Sequence, residues 1–458
     1  MSARAASAAA SVPAWPSDAS LAVPFIQSTS RTALSLNFRN KRDSIRSRPA
    51  RYETGDRHDG GGREMRNMFR VAATAIASGL LLGVSVTAFA AQPVKIGFLT
   101  TLSTGAGYLG QDALNGFKLA MAEDGGKLGG VPVTLVVADD GLNPGKARQI
   151  VTRMIEADHV ELMTGSIFSN VAMATAPEVV DHNMVYISPN AGPSELAGRM
   201  CSENYFNVAW SNDNQAEAMG KYLTDKGYKT AYLLAPNYQS GKDQLTGFKR
   251  FYKGKVVGED FTPLGQTDYS AAIAAIRAAK PDAVFFFYPG GMGISFVKQF
   301  AEAGLIGKIP MFGPAFSFDN TQIVAMGKAA LGAMNASQWS VDFKNPANER
   351  FVAGYEKAYH EVPTLYSSQG YDDARLIGSA LKAVHGDVHN IAAFRKALMA
   401  ANFHSVRGSF KFASDHFPIQ NFYLRKVVEG PDGKPVNHVV EEIMKNRSNA
   451  YLGECHMK

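Results

Sequence analysis

The stretch that holds the most chemistry is MTGSIFSNVAMATAPEVVDHNMVYISPNAGPSEL, residues 163–196. Two segments in it, Gly165-Ser166-Ile167-Phe168-Ser169-Asn170 and Pro189-Asn190-Ala191-Gly192, consist of hydroxyls, amides and open backbone N–H groups beside a helix start. The first N–H groups of a helix have no partner within it, and its dipole favours negative charge there, so such segments suit a small anionic or polar group. For Ser169 or Asn170 alone, helix capping is an equally good reading; two such segments in succession favour a site. Elsewhere the reactive residues do not converge. Gly290-Gly291-Met292-Gly293 lacks the full G-x-G-x-x-G spacing of a nucleotide loop. His159, His182, His360, His385, His389, His404, His416 and His438 show no metal-ligand spacing. Asp139 and Asp140 are neighbours at a strand end and point to opposite sides, which suits the following Gly-Leu-Asn-Pro turn and helix cap better than paired acid chemistry. The residues describe a binder that is not an enzyme and needs no cofactor or metal.

The elements around these segments alternate. Val160–Thr164 is a short apolar run, Asn170–Val180 has helical spacing and Met184–Ser188 is apolar again, one turn of a parallel α/β sheet. Before it come a strand at Val94–Leu99, a helix at Asn115–Glu123, a strand at Val133–Ala138 and a helix at Pro144–Ala157. After Phe206–Trp210 the pattern restarts: helices at Asn214–Lys226, Gly241–Tyr252, Tyr269–Ala279 and Gly293–Ala303 separate strands at Ala231–Leu234, Val256–Phe261, Ala283–Tyr288 and Ile309–Phe312. Strands separated by helices of that length predict parallel sheets with helices on both faces, and two runs predict two lobes. The chain is expected to return to the first lobe near Trp339–Asp342, with helices at Asn348–His360 and Tyr371–Val384, and to end in a strand at Asn421–Val428 that crosses back. Repeated crossings make a hinge, and a hinge between α/β lobes makes a closing cleft whose ligand sits beyond the carboxyl ends of the strands.

The first 64 residues are rich in Ala, Ser and Arg without an apolar period, and read as a disordered leader or as sequence upstream of a true start at Met65 or Met68. Residues 65–90 carry a basic start, the uncharged run VAATAIASGLLLGVSVTAF and Ala88-Phe89-Ala90, a secretory signal peptide cleaved after Ala90 in preference to a membrane anchor. Residues 1–90 hold 12 of the 47 basic and 6 of the 41 acidic residues, so the remaining 368 carry 35 of each. The high pI therefore belongs to the leader, and no case for nucleic acid remains. Lobe 1 is expected over 91–210 and 339–424, lobe 2 over 211–338, and a tail at 425–458 that returns towards lobe 2. Cys201 and Cys455 both follow the signal; in an oxidising compartment they pair and tie the tail to the body, or else remain two free thiols.

Most of the chain after the signal resembles the type I periplasmic solute-binding proteins of ATP-driven importers, typified by the leucine/isoleucine/valine-binding proteins. The resemblance is carried by IGFLTTLSTGAGYLGQDALNGFKLAMAEDGGKLGG, VVADDGLNP, GSIFSN, ISPNAGPSEL, NYQSGKDQLTGFK, FFYPGG, AGL and MFGPAF, in that order over more than 300 residues. It implies a two-lobed α/β fold of the periplasmic-binding-protein type I, each lobe a parallel sheet flanked by helices. It implies too a periplasmic, monomeric receptor that closes on its ligand and docks on an inner-membrane ABC permease. It places Tyr108 and Leu109 at the cleft, then Ile167, Phe168 and Ser169, with the Ser169 hydroxyl on a ligand carboxylate and the backbone amides of Asn190, Ala191 and Gly192 completing the grip. From the second lobe it places Tyr238 and Ser240, Tyr288 and Pro289, and Ala315 and Phe316.

Two positions depart from the amino-acid binders. Ala315 stands where they carry an acid for the ligand ammonium, and Ser240 where a tyrosine is common. An ammonium shut in a dry cleft needs a carboxylate or a ring face. The expected ligand is therefore a flat aromatic carboxylate of the benzoate, hydroxybenzoate or phenylpropenoate (cinnamate) type, ringed by Tyr108, Phe168, Tyr238, Tyr288, Phe316 and Phe318. MCSENYFNV, SVRGSFKFASDHFPIQNFYLR and the second cysteine point the same way, to the aromatic-acid branch. The alternatives are a branched-chain or other amino acid, a sensory ligand-binding module, or a hydrolase on the same scaffold.

Overall fold

The structure, a computed structural model, describes residues 92–457, so the predicted leader and signal peptide lie outside it. The first run is β1 (Val94–Thr100), α1 (Gly107–Glu123), β2 (Lys127–Leu128), β3 (Val131–Asp139), α2 (Pro144–Glu156), β4 (Leu162–Gly165), α3 (Ser169–Asp181), β5 (Tyr186–Ser188), α4 (Ser194–Ala197) and β6 (Tyr205–Asn207). The second is α5 (Asn214–Asp225), β7 (Thr230–Pro236), α6 (Gln239–Phe251), β8 (Lys255–Thr262), α7 (Ser270–Ala279), β9 (Ala283–Phe286), α8 (Gly291–Glu302), β10 (Met311–Pro314), α9 (Asn320–Met326) and β11 (Met334–Ser337). Then come α10 (Pro346–Tyr359), α11 (Leu365–Ala383), α12 (Ile391–Ala400), β12 (Lys411–Phe412), β13 (Pro418–Glu429) and β14 (Pro435–Arg447).

Two sheets result, in the orders β2-β3-β1-β4-β5-β6 and β12-β13-β11-β10-β9-β7-β8, with β14 pairing β13. β1 pairs in parallel with β3 and β4, as β7 does with β8 and β9. Helices cover both faces, which is why β1, β4, β7 and β9 are almost wholly buried apolar runs. Successive residues of β9 and of the two positions after it go to opposite sides: Val284, Phe286 and Tyr288 join one core of the second lobe, Phe285 and Phe287 the larger core shared with the first.

In the first lobe α11 lies against α1 at backbone distance. A Cβ on Gly116 would come within 1.9 Å of the Ser367 carbonyl, so only glycine permits this approach. α1 starts at Gly107 and α11 at Leu365, each well before the predicted Asn115 and Tyr371. Glycines and small polar residues hide both starts in the sequence. Yet Leu109, Ala113 and Phe117 continue the buried stripe of α1, and Thr364 with Ser367 forms a capping box for α11. The predicted role of Asp139 and Asp140 takes definite form: Asp139 Oδ1 accepts the N–H groups of Leu102 and Gly141, Asp140 Oδ1 the Thr101 hydroxyl and the Leu142 N–H. Asn143 makes the helix cap itself.

The chain passes between the lobes after β6, after β11 and before β12. Arg407, nearly buried, holds the first and last of these passages together through the carbonyls of Val208 and Ala209, Gln420 Oε1 and a 3.1 Å ion pair to Asp372 on α11. The last strand is the first arm of a β13–β14 hairpin, longer at both ends than predicted, and its second arm was not predicted because β14 alternates weakly at a half-exposed edge. Cys201 and Cys455 are bonded, with Cα atoms 5.6 Å apart. The bond fastens the segment after β14, which belongs to the second sheet, to the first lobe beside α4.

Candidate functional site

Ile167, Phe168, Ser169, Asn190, Trp210, Asn212, Tyr238, Ser240, Phe287, Pro289, Phe316 and Tyr366 line one narrow space between the lobes, with only about 10 Å³ open to a water-sized molecule. The loop from β4 into α3 is shaped by Gly165 at φ +112° and Ser166 at φ +70°, and a Cβ on Gly165 would meet the Leu99 carbonyl at 1.9 Å. Tyr186 steadies the turn through its hydroxyl on Ser166 Oγ, 2.5 Å. Asn190 Nδ2 donates to the Ile167 carbonyl at 2.7 Å, tying the loop after β5 to the loop after β4. The Trp210 indole N–H donates to the Asn190 carbonyl at 2.6 Å, which leaves its ring against Phe316 with centroids 4.1 Å apart.

Six rings therefore wall the space: Phe168, Trp210, Tyr238, Phe287, Phe316 and Tyr366. Tyr238 lies 6.1 Å from Phe168 and stacks near Phe287 at 6.2 Å, while Phe316 meets Tyr366 edge-on at 5.5 Å. At the other end lies a polar chain whose proton directions can be worked out. The Gly192 N–H donates to Asn212 at 3.1 Å, which fixes that atom as Oδ1. Asn212 Nδ2 then donates to Ser169 Oγ at 2.9 Å and to Asp243 at 2.8 Å. Ser169 Oγ is an acceptor from Asn212, so its own proton is free for another partner. No side chain caps α3, and the N–H groups of Ser169 and Asn170 in its first turn have no protein acceptor. The corner is thus rich in donors.

Among the described residues, no carboxylate lines the space. The nearest along the polar chain, Asp243, is fully engaged by Asn212, the Ser194 N–H and hydroxyl, and Gln239. Burial pushes its pKa up to about 6 although those bonds pull it down. Ser194 belongs to the first lobe and Asp243 to the second, so these bonds cross the cleft. Among the described residues, no group of three or more His, Cys, Asp or Glu is placed to hold a metal ion.

The structure brings together eight of the residues predicted from sequence: Ile167, Phe168, Ser169, Asn190, Tyr238, Ser240, Pro289 and Phe316. The other six sit apart from the lining. The Ala191 N–H bonds the Ser166 carbonyl and the Gly192 N–H bonds Asn212, so these two amides are engaged within the protein. Tyr288 packs on Tyr269 and Phe296 in the core of the second lobe, where Phe318 packs too. Fully buried Ala315 gives its N–H to Gln215 at 2.8 Å. Tyr108 and Leu109 belong to the first turn of α1; the Tyr108 hydroxyl is buried without a partner, and Leu109 lies beneath Gly290 of the second lobe. Sequence reasoning missed Trp210, Asn212, Phe287 and Tyr366. For Phe287 the signal was available: it alternates with Tyr288, so only one of the two faces the cleft.

The sequence model described as "Periplasmic binding protein" matches residues 93–434. A Leu/Ile/Val-binding protein homolog of Brucella melitensis is 26% identical over 387 residues, 82% of this chain and 98% of that protein. Among solved structures, an ABC transporter solute-binding protein of R. palustris in complex with benzoate has a TM-score of 0.75 at 32% identity, covering 79% of this chain and 99% of that one. A second, from Rhodopseudomonas palustris BisB5 in complex with 3,4-dihydroxybenzoic acid, has a TM-score of 0.71 at 28% identity, covering 77% and 98%. With two sheets joined by three passages, a ring-lined space between them and a family match over most of its length, this chain belongs to the periplasmic binding protein family, as a non-enzymatic solute-binding protein of an ABC transporter.

Proposed function

We propose that the protein captures a small aromatic carboxylate of the benzoate type in the periplasm, closes on it and delivers it to an inner-membrane permease. The observation that carries this reading is the pairing of six ring walls with a donor-rich corner at Ser169 and no free acid in the lining. The carboxylate accepts from the Ser169 hydroxyl and the first N–H groups of α3; the ring lies among Trp210, Phe316, Tyr238 and Phe287. The space between the rings is drawn nearly shut, with room of about 10 Å³ for a water-sized molecule, so a ligand ring enters when the lobes part and the lining side chains shift around it. Relatives in complex with benzoate and 3,4-dihydroxybenzoic acid support the same class. Contacts to both lobes exist only in the closed form, so the ligand shifts the protein towards closure by its differential affinity.

The likeness to a Leu/Ile/Val-binding homolog raises amino acids as a second reading, and Asp243 is the group that would pair their ammonium. Its four donors already satisfy it, which disfavours that pairing. Thermal unfolding with benzoate, 4-hydroxybenzoate, cinnamate, leucine and valine tests the two. At about 100 times Kd a ligand stabilises by about 2.7 kcal/mol. Stabilisation by the aromatic acids alone supports the reading; stabilisation by leucine or valine alone overturns it.

A further inference from the structure

The lobes also meet beside the ring box. Asp319, in the capping box of α9 in the second lobe, extends Oδ1 across the cleft to accept the N–H of Leu365, the first residue of α11 in the first lobe, at 3.0 Å. Next to it Asn320 Nδ2 donates to the Pro363 carbonyl at 2.8 Å. One lobe thus helps to cap the 19-residue helix of the other, where the helix dipole favours a negative charge. The second oxygen, Oδ2, is buried and has no hydrogen-bond partner.

The surroundings of this carboxylate are mostly acidic. Asp112 and Tyr108 face it from α1 and Tyr366 from α11, while Glu361 before α11 and Tyr355 on α10 act on Asp112. Among the described residues the cation acting on Asp319 is Arg425 on β13, whose bonds go instead to Asn335 Oδ1 and the Trp339 carbonyl. Asp112 is held in the first lobe by the Thr364 hydroxyl at 3.0 Å. Closure therefore moves the Asp319 carboxylate out of water and onto the Thr364–Leu365 helix start that also holds Asp112.

We propose that Asp319 and Asp112 form a proton-taking latch, in which the closed cleft holds a proton that the open cleft releases. The inference rests on the cleft-closing function proposed above. In the closed form burial first, and for Asp112 the neighbouring Asp319 charge next, push Asp112 up to about 8 and Asp319 up to about 6, so the pair holds a proton near neutral pH. Opening returns Asp319 to water, towards the usual ~3.9 of an aspartate, and takes its charge away from Asp112. Closed-state values above open-state values mean that closing takes up protons. Closure is favoured as pH falls and disfavoured as pH rises through about 6 to 8.

Calorimetric titration with benzoate, which stays ionised above about pH 6, reads the latch directly. The dissociation constant of the unaltered protein is expected to rise about tenfold for each pH unit over which one proton is released, roughly 10- to 100-fold between about pH 6 and pH 8.5. Asp319→Asn keeps an oxygen for the Leu365 N–H and removes the charge; its affinity is expected to change by less than about twofold over that range. Asp243 also crosses the cleft and titrates low in this range, so a slope that survives in Asp319→Asn overturns the latch, as does a flat profile in the unaltered protein. Small-angle scattering without ligand supplies a readout independent of ligand class, with the unaltered protein more compact at the lower pH and Asp319→Asn equally compact at both. If benzoate does not bind but scattering shows this difference, only the ligand reading fails. Tight benzoate binding with no pH dependence fails the latch alone.

Discussion

Replacing Ser169 by alanine isolates the proposed carboxylate contact. Because Asn212 gives its Nδ2 to Ser169 Oγ, the serine proton has no acceptor within the polar chain and is available to a ligand. Losing one hydrogen bond to a charged group costs about 1.5–3 kcal/mol, so the dissociation constant for benzoate is expected to rise about 10- to 150-fold. Without ligand the change is smaller: Asn212 retains Asp243 at 2.8 Å and Gly192 at 3.1 Å and loses one partner for a single amide hydrogen, about 1 kcal/mol. Calorimetric titration and ligand-free urea unfolding measure the two effects separately. Ser169→Thr keeps the hydroxyl and is expected to recover most of the affinity. An affinity within twofold of the original in Ser169→Ala, with the stability loss present, refutes the assignment and leaves Ser169 as a structural member of the polar chain.

Further tests address the frame around the site. Removing the Cys201–Cys455 bond by serine substitution is expected to lower stability by up to about 5 kcal/mol, since its residues are 254 apart in sequence; ligand-free urea unfolding with and without reductant measures this. Asp372→Ala leaves the Arg407 guanidinium buried without its counter-charge and is expected to cost about 3–5 kcal/mol in the same assay. His416, stacked on Phe206 at 4.1 Å, is kept neutral by burial, which lowers its pKa to about 4. Its folded value lies below the unfolded ~6.5, so the unfolded chain binds more protons and stability falls as pH drops from about 6.5 to 4. His416→Gln is expected to lose that part of the acid sensitivity, on the order of 3 kcal/mol across the range, measured as the difference between the two proteins.

The alternation of strands and helices was legible because parallel strands buried on both faces read as unbroken apolar runs, as in β1, β4, β7 and β9. The loops after β4 and β5 were legible too, because residues that leave helix starts open advertise a polar site. What the sequence withheld depends on pairings between distant segments. Nothing local says that the Gly192 amide bonds Asn212, twenty residues on, or that Trp210 turns its indole N–H to Asn190. Tyr366 was hidden because its helix begins with small polar residues whose burial comes from a neighbouring backbone. The choice of Tyr288 over Phe287 was an error of strand parity: one step along β9 exchanges the cleft for the core.

The disulfide also sets an order on biogenesis. All fourteen strands of the described residues precede Cys455, and β14, whose continuation carries that cysteine, pairs with β13 in the structure where it lies beside Cys201. The bond thus joins the segment after the last strand to the first lobe and locks a finished topology. A chain arrested anywhere before residue 455 remains a free thiol at Cys201, so alkylation of that thiol distinguishes immature chains from completed ones.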